Sequence, residues 1–256
     1  MEVVDTPIAS EGLTLWGHLG RPAVTSGGPG LARHGLVLSH GFPGGPGGAA
    51  NSARTYPNLA DRVAADAGWT VLTFNFRGTG RSEGDFSLGG WMADLRSAVD
   101  HLLAHAADVD RVWLAGFGVG GALSLCAAAE DDRVGGVASF SAPADFDGWS
   151  DDPKGFLEVA RRLGMVRDAG FPTDFAAWAR ELHDIRPVNI IGKIPPRPVL
   201  LVHGAEDEVV SSMDARALAD ATDGQAELRV LASAGSRLRH DPRAVAVLLG
   251  WLDRQS

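Results

Sequence analysis

A glycine-rich turn joins an apolar run to a helix-like run near the middle of the chain. Residues 112–115 lead in, residues 116–120 (GFGVG) form the turn, and residues 122–130 lead out. This strand–turn–helix setting is typical of the G-x-S-x-G turn, which holds a nucleophilic serine in a strained, positive-φ conformation at the end of a sheet strand. Here Gly118 stands at the place of the serine. The turn therefore has the setting for nucleophilic attack on a carbonyl, but it has no nucleophile.

The same glycines allow a second interpretation. Gly116, Gly118 and Gly121 match G-x-G-x-x-G, the dinucleotide-binding pattern, between a predicted strand and a predicted helix. Two features count against it. The pattern normally lies on the first βα unit, whereas this turn follows several predicted strands. It also requires an acidic residue about 20 positions later, where this chain has Ser139-Phe140-Ser141. Dinucleotide binding at residues 116–121 stays an alternative.

Short apolar runs alternate with helical patterns along the chain. The runs that predict buried strands are 35–39, 70–76, 112–115, 134–139, 198–202 and 228–232. Residues 56–67 and 89–105 predict helices, and Asp241 followed by Pro242 predicts the start of a last helix. This alternation predicts an α/β fold with a mostly parallel sheet flanked by helices on both faces.

Two stretches depart from this alternation of predicted strands and helices. Residues 2–20 alternate weakly around Glu11-Gly12, which predicts two strands joined by a turn, and residues 25–30 predict a loop. Residues 143–195 are rich in tryptophan and phenylalanine and predict two short helices. A long insertion between two sheet strands is a candidate cap or lid.

Composition excludes several classes of function. The chain has 256 residues with a net charge of −9, which argues against a nucleic-acid partner or an anionic membrane. The longest apolar run, near residues 244–252, is too short to span a bilayer. The first residues carry no secretion signal, so we expect a cytoplasmic protein. Cys126 is the single cysteine and predicts a small buried side chain. No cysteine–histidine cluster has metal-ligand spacing, so no metal and no cofactor are expected.

Four motifs follow one another at predicted strand ends. They are residues 40–44 (HGFPG), 76–82 (FRGTGRS), 116–120 (GFGVG) and 203–207 (HGAED). With these motifs in this order, the chain resembles the α/β-hydrolase family, in its dienelactone-hydrolase or esterase-like branch, over nearly its full length. The resemblance implies a single α/β-hydrolase domain over residues 1–256, with residues 143–195 as its helical cap.

The resemblance also implies where a catalytic site would lie. In this family a serine attacks a carbonyl, a histidine takes its proton, an acid orients the histidine, and two backbone amides stabilise the oxyanion. By resemblance Asp207 is the retained acid, and the amides of Phe42 and Val119 are the oxyanion donors. Gly118 occupies the position of the nucleophile, and Ser236 occupies the position of the histidine.

Loss of two of the three catalytic side chains predicts a homologue of serine ester hydrolases without normal turnover. Because the three act as a unit, loss of one key member costs roughly 10⁶ in turnover. We therefore expect a pseudoenzyme that binds a small apolar or ester-like ligand, or a protein partner, at the former active-site face. Trp149 and Trp178 of the insertion are candidates to line that pocket. The alternative is a working carboxylic-ester hydrolase with a displaced nucleophile or histidine, such as Ser236 or His240.

Overall fold

One eight-stranded sheet organises the part of the chain that the structure, a computed structural model, describes: residues 5–22, 34–45, 47–107 and 109–255. The strands are β1 (Asp5–Ser10), β2 (Leu13–Gly20), β3 (His34–Ser39), β4 (Thr70–Phe74), β5 (Arg111–Phe117), β6 (Val134–Phe140), β7 (Val199–Gly204) and β8 (Glu227–Leu231). Their order across the sheet is β1-β2-β4-β3-β5-β6-β7-β8. The loop predicted at residues 25–30 lies outside the described residues.

The sheet is mostly parallel, as the sequence predicted. β1 pairs with β2 and β2 pairs with β4 in antiparallel fashion, and the turn between β1 and β2 falls at Glu11-Gly12, where both residues have positive φ. All pairs from β4 to β8 are parallel. The carboxyl ends of β3, β5, β6, β7 and β8 therefore lie along one edge of the sheet, and the loops that follow them can build a common site.

Nine helices occur in the described residues. They are α1 (Tyr56–Ala67), α2 (Leu88–His105), α3 (Val119–Glu130), α4 (Asp147–Ser150), α5 (Pro153–Arg162), α6 (Phe175–Asp184), α7 (Pro187–Ile190), α8 (Ser212–Asp220) and α9 (Pro242–Asp253). The predicted cap of α9 is confirmed, because the Asp241 side chain accepts a hydrogen bond from the Arg243 amide and Pro242 is the first helical residue. Among the described helices, none combines the length and the apolar character needed to cross a membrane.

Alternating side chains of each strand enter two cores, one on each face of the sheet. Val37 packs on the face covered by α2, α3 and the insertion, whereas Leu36 and Leu38 pack on the face covered by α1 and α9. Successive side chains of a strand point to opposite faces, and because both faces are covered the central strands are buried throughout. Burial on both sides explains why these strands appear in the sequence as continuous apolar runs.

The insertion between β6 and β7 holds more helices than the two predicted. It contains α4, α5, α6 and α7, followed by a single 3₁₀ turn at Ile191–Lys193. α4 and α7 have four residues each, which is too short to show a helical period in the sequence. Stacked aromatic rings hold the insertion together, with Trp149 and Phe156 at a centroid distance of 4.1 Å.

Candidate functional site

The turn between β5 and α3 adopts the conformation that its sequence pattern predicts. Gly118 has φ 54° and ψ −124° and lies immediately before α3. Its amide donates a hydrogen bond to the Phe140 carbonyl oxygen at 2.8 Å, and its carbonyl oxygen accepts one from the Ala122 amide at 3.0 Å. These bonds join the turn to the end of β6 and to the first turn of α3. Residue 118 is thus held in a positive-φ conformation at the carboxyl edge of the sheet.

The glycines around Gly118 are required by close packing. A Cβ atom at Gly116 would lie 2.4 Å from the Gly120 carbonyl oxygen, and one at Gly120 would lie 2.2 Å from the His40 carbonyl oxygen. A Cβ atom at Gly121 would lie 2.6 Å from Ser139 Oγ. Distances this short leave no room for a side chain. Packing of α3 on the sheet therefore accounts for these glycines without a bound dinucleotide.

Gly118 itself has open space around it. A Cβ atom built there would meet a single neighbour within 4 Å, the Cα atom of Gly41 at 3.7 Å. The backbone of Gly41 packs tightly against the end of β5, since a Cβ atom at Gly41 would lie 2.9 Å from the Phe117 carbonyl oxygen. The loop after β3 thus lies directly beside the turn, and the site can sterically hold a small side chain at position 118.

The buried side chain of His40 holds the loop after β3 in place through hydrogen bonds. Its Nε2 accepts a hydrogen bond from the Phe76 amide at 3.2 Å, so Nδ1 carries the proton and donates to the Gly41 carbonyl oxygen at 2.8 Å. Burial lowers the pKa of His40 to about 4. The imidazole is therefore neutral near pH 7 and acts as a positioning group for Gly41.

The two backbone amides predicted as oxyanion donors belong to residues next to Gly118 and Gly41. Val119 is the first residue of α3, and the amide of a first helical residue has no acceptor within its own helix. Phe42 directly follows Gly41 in the adjacent loop. The positive end of the dipole of the 12-residue helix α3 adds to the potential at Val119. An unpaired amide at a helix N-terminus favours a negatively charged or carbonyl oxygen nearby.

Asp207 is oriented by the loop after β7. Its Oδ1 accepts hydrogen bonds from the Val209 amide at 2.9 Å and from the Val210 amide at 3.0 Å. The side chain is fully buried, and Oδ2 lies 3.7 Å from Nε2 of His203, which itself hydrogen-bonds the Val210 carbonyl oxygen. Among the described residues, Oδ2 has no hydrogen-bond partner. One carboxylate oxygen of Asp207 is therefore fixed by two amides, and the other has no hydrogen-bond donor among the described residues.

Ser236 lies in the loop after β8, beside the loop that carries Asp207. The Glu206 amide donates to the Ala234 carbonyl oxygen at 2.9 Å, and a Cβ atom at Gly235 would lie 3.6 Å from the Glu206 carbonyl oxygen. Ser236 is exposed. The loops of residues 118, 207 and 236 all emerge at the same edge of the sheet.

His240 is exposed, just before α9. Its Nε2 accepts a hydrogen bond from Arg239 Nε at 2.9 Å. Partial burial, followed by the positive charges of Arg239 and Arg237, lowers the pKa of His240. The lone pair of this imidazole is thus already used by a neighbouring cation.

Sequence reasoning missed two residues next to the loop of Gly41. The guanidinium carbon of Arg239 lies 5.4 Å from the ring centre of Tyr56, and Tyr56 packs against Phe117 at a centroid distance of 5.8 Å. Burial raises the pKa of Tyr56 to about 12. Tyr56 is the only tyrosine in the chain, yet no local sequence pattern connects it with Arg239, which lies near the other end of the chain.

The two tryptophans singled out in the insertion are placed differently. Trp149 is half-buried and its ring lies 4.9 Å from the ring of Phe42, so it touches the loop that flanks Gly118. Trp178 is 3% exposed, and its indole N–H donates to the Phe86 carbonyl oxygen at 3.1 Å. Trp149 is thus the one that borders the candidate site.

Cys126 and the metal-ligating residue types are the other candidates for reactive groups. The thiol of Cys126 is buried in α3, and burial raises its pKa to about 12. Within the described ranges, no three His, Cys, Asp or Glu side chains come close enough together to hold a metal ion.

Comparison with known proteins agrees with this architecture. The chain is 27% identical over 166 residues to the uncharacterized protein YfhR of Escherichia coli O157:H7, covering 64% of this chain and 51% of the relative. The chain thus spans about half the length of the curated relatives it matches.

Solved structures with the same fold include esterases. An esterase of Pyrococcus furiosus superposes with a TM-score of 0.68 at 18% identity, over 99% of this chain and 91% of the other. The esterase domain of a Rhodothermus marinus protein superposes with a TM-score of 0.70 at 22% identity, over 99% of both chains. A sequence model of the alpha/beta hydrolase fold matches residues 36–189. Because that match covers more than half of the chain, the protein belongs to the alpha/beta hydrolase fold family.

Proposed function

We propose that this protein is a catalytically impaired homologue of serine ester hydrolases that binds a ligand at the former active-site face. The observation that carries the proposal is Gly118, which has φ 54° and ψ −124° at the end of β5 without a side chain. Gly41 lies beside that position, α3 starts directly after it, and Asp207 follows β7 at the same edge of the sheet. In this proposal these elements are the framework of the former catalytic site, and Gly118 stands in place of its nucleophile.

The magnitude of the expected loss supports binding over turnover. Removal of one key member of a catalytic triad costs roughly 10⁶ in turnover, because its members act as a unit. The remaining acceleration of about 10³–10⁴ over water comes from the oxyanion amides and from binding. Glycine also relieves the strain of about 1–3 kcal/mol that another residue would carry at positive φ. The substitution thus favours a stable binding scaffold.

The ligand class follows from the groups that face the open position. The amides of Phe42 and Val119 offer hydrogen-bond donors to one oxygen atom, and the rings of Phe42 and Trp149 provide apolar surface beside them. A small apolar or ester-like molecule with a carbonyl group matches both features. In this proposal residues 143–195 form the cap of a single domain of the esterase and dienelactone-hydrolase type. A protein partner at the same face is the second form of the proposal.

A fluorophosphonate probe tests the loss of the nucleophile. The folded protein is incubated with the probe and its intact mass is measured, with heat-denatured protein as the background control. We expect no stoichiometric adduct and no burst of product from a short activated ester. A one-to-one adduct on Ser236, or on any other serine of the folded protein, would overturn the proposal. It would support the working hydrolase with a displaced nucleophile, with His240 as the base to be tested next.

A further inference from the structure

An open cavity of about 510 Å³ lies between the loop after β3 and the end of α5, and nothing in the site at Gly118 explains it. Its wall includes Gly45, Gly47 and Gly48 on one side and Arg162 and Arg167 on the other. The described lining residues include two arginines and no carboxylate. We propose that this cavity binds the phosphate group of a small phosphorylated ligand.

Arg167 is held in place by backbone carbonyl groups. Its Nη1 donates to the Ser82 carbonyl oxygen at 3.1 Å, and its Nη2 and Nε donate to the Gly80 and Gly164 carbonyl oxygens at 3.4 Å each. A guanidinium group has five N–H donors, so two remain for a ligand. Because its fixed partners are neutral, the positive charge of Arg167 is not cancelled by them.

Arg162 supplies the second positive charge. It is the last residue of α5 and is exposed, and it forms no salt bridge within the described part of the chain. Many other arginines of this protein are paired with carboxylates, among them Arg77, Arg133 and Arg186. Two arginines without such partners line one cavity, and this gives the cavity the charge to bind an anionic ligand.

The wall of the cavity is built by hydrogen bonds between its two sides. The Ala49 amide donates to the Leu163 carbonyl oxygen at 2.8 Å, and the Gly80 amide donates to the Ala49 carbonyl oxygen at 2.8 Å. The approach requires glycine, since a Cβ atom at Gly48 would lie 2.5 Å from the Leu163 carbonyl oxygen. Bare backbone here also lets a ligand come close to the chain.

Phosphate matches this chemistry because it offers several charged oxygens to two guanidinium groups at once. Guanidinium groups bind phosphate oxygens in pairs through planar, charge-assisted hydrogen bonds. A positively charged cavity in a chain of net charge −9 attracts anions locally. The volume of about 510 Å³ lies within the range of about 300–1,000 Å³ of small-molecule sites. The site therefore has room for a phosphate and for the group that carries it.

Titration with inorganic phosphate at low ionic strength, followed by calorimetry, tests the proposal. We expect saturable binding of one phosphate per chain, weakened about tenfold or more in Arg162→Glu. Arg180→Glu is the matched control, because Arg180 is exposed on α6, away from the cavity, and the change in net charge is the same. We expect it to bind phosphate within about twofold of the unaltered protein.

Three results would overturn the proposal. They are the absence of saturable binding, an equal weakening in both variants, and acetate binding as tightly as phosphate. Esterase activity at position 118 enters none of these readouts, so failure here and failure of the proposed function are distinguishable.

Discussion

A Cβ atom built on Gly118 would lie 3.7 Å from the Cα atom of Gly41, an ordinary van der Waals contact. The site therefore accepts a serine sterically, and the cost of restoring one lies in the backbone. At φ 54° that cost is roughly 1 kcal/mol or more. Mutagenesis can therefore test whether a serine at position 118 gives the protein hydrolase activity.

The double variant Gly118→Ser with Ser236→His supplies the two side chains that the proposed function treats as missing. We expect it to hydrolyse a short activated ester measurably, because Asp207 already has one oxygen anchored by two amides and the other free. Each single variant should give little activity, since a triad acts as a unit. The measurement is the initial rate of hydrolysis for the double variant and both single variants.

Asp207→Asn in the double-variant background is the control for this prediction. If the restored activity uses Asp207 to orient the new histidine, it should fall by about 10⁴. Activity that is unchanged by this third substitution would mean that the hydrolysis arises elsewhere in the protein.

In the unaltered protein, substitutions of Asp207 test how its two carboxylate oxygens contribute to the free energy of unfolding. We expect Asp207→Asn alone to change the free energy of unfolding by less than about 1 kcal/mol, since asparagine keeps an oxygen that accepts from the amides of Val209 and Val210. Asp207→Ala should instead lower it by about 1–2 kcal/mol, because the amides of Val209 and Val210 lose their acceptor. Urea unfolding of both variants measures the difference. Destabilisation by Asn as large as that by Ala would show that Oδ2 is satisfied in solution.

Much of the fold could be predicted because its signals are local. α1 begins at Tyr56 and ends at Ala67 as predicted, with the Gly68 amide closing the helix on the Ala64 carbonyl oxygen. The strand predicted at residues 228–232 is Glu227–Leu231, one residue earlier. Apolar runs predict buried strands because both faces of this sheet are covered.

Other features could not be predicted because they depend on contacts between distant parts of the chain. The approach of Arg239 to Tyr56 depends on α1 and the loop before α9 meeting on one face of the sheet. The cavity beside Arg162 depends on the end of α5 packing on the loop after β3. Neither contact leaves a pattern within a short window of sequence.

The buried imidazole of His40 should make stability depend on pH. Its pKa is about 4 in the folded protein, against about 6.5 for an ordinary histidine. The unfolded chain therefore binds the proton more tightly between these values. Stability from this group is fully present above pH 6.5 and decreases as the pH falls toward 4, with a total loss of up to about 3 kcal/mol.

Unfolding in urea at several pH values within that range tests this expectation. The variant His40→Gln can keep a donor and an acceptor but cannot titrate, so its stability should vary less with pH than that of the unaltered protein. Equal pH dependence in the two proteins would assign the effect to other histidines.

The glycine-rich turn allows a final prediction, which separates packing from dinucleotide binding. A Cβ atom at Gly120 would lie 2.2 Å from the His40 carbonyl oxygen, whereas one at Gly250 would meet no atom within 4 Å. We expect Gly120→Ala to destabilise the protein by more than about 3 kcal/mol, through overpacking of α3 on the loop after β3. Gly250→Ala, in the exposed part of α9, should stabilise it by up to about 1 kcal/mol.

The unaltered protein should show no thermal shift with NAD(H) or NADP(H), although a true ligand at a hundredfold excess over its Kd contributes about 2.7 kcal/mol. A shift of several degrees with either dinucleotide, together with tolerance of alanine at position 120, would mean that the turn serves a cofactor.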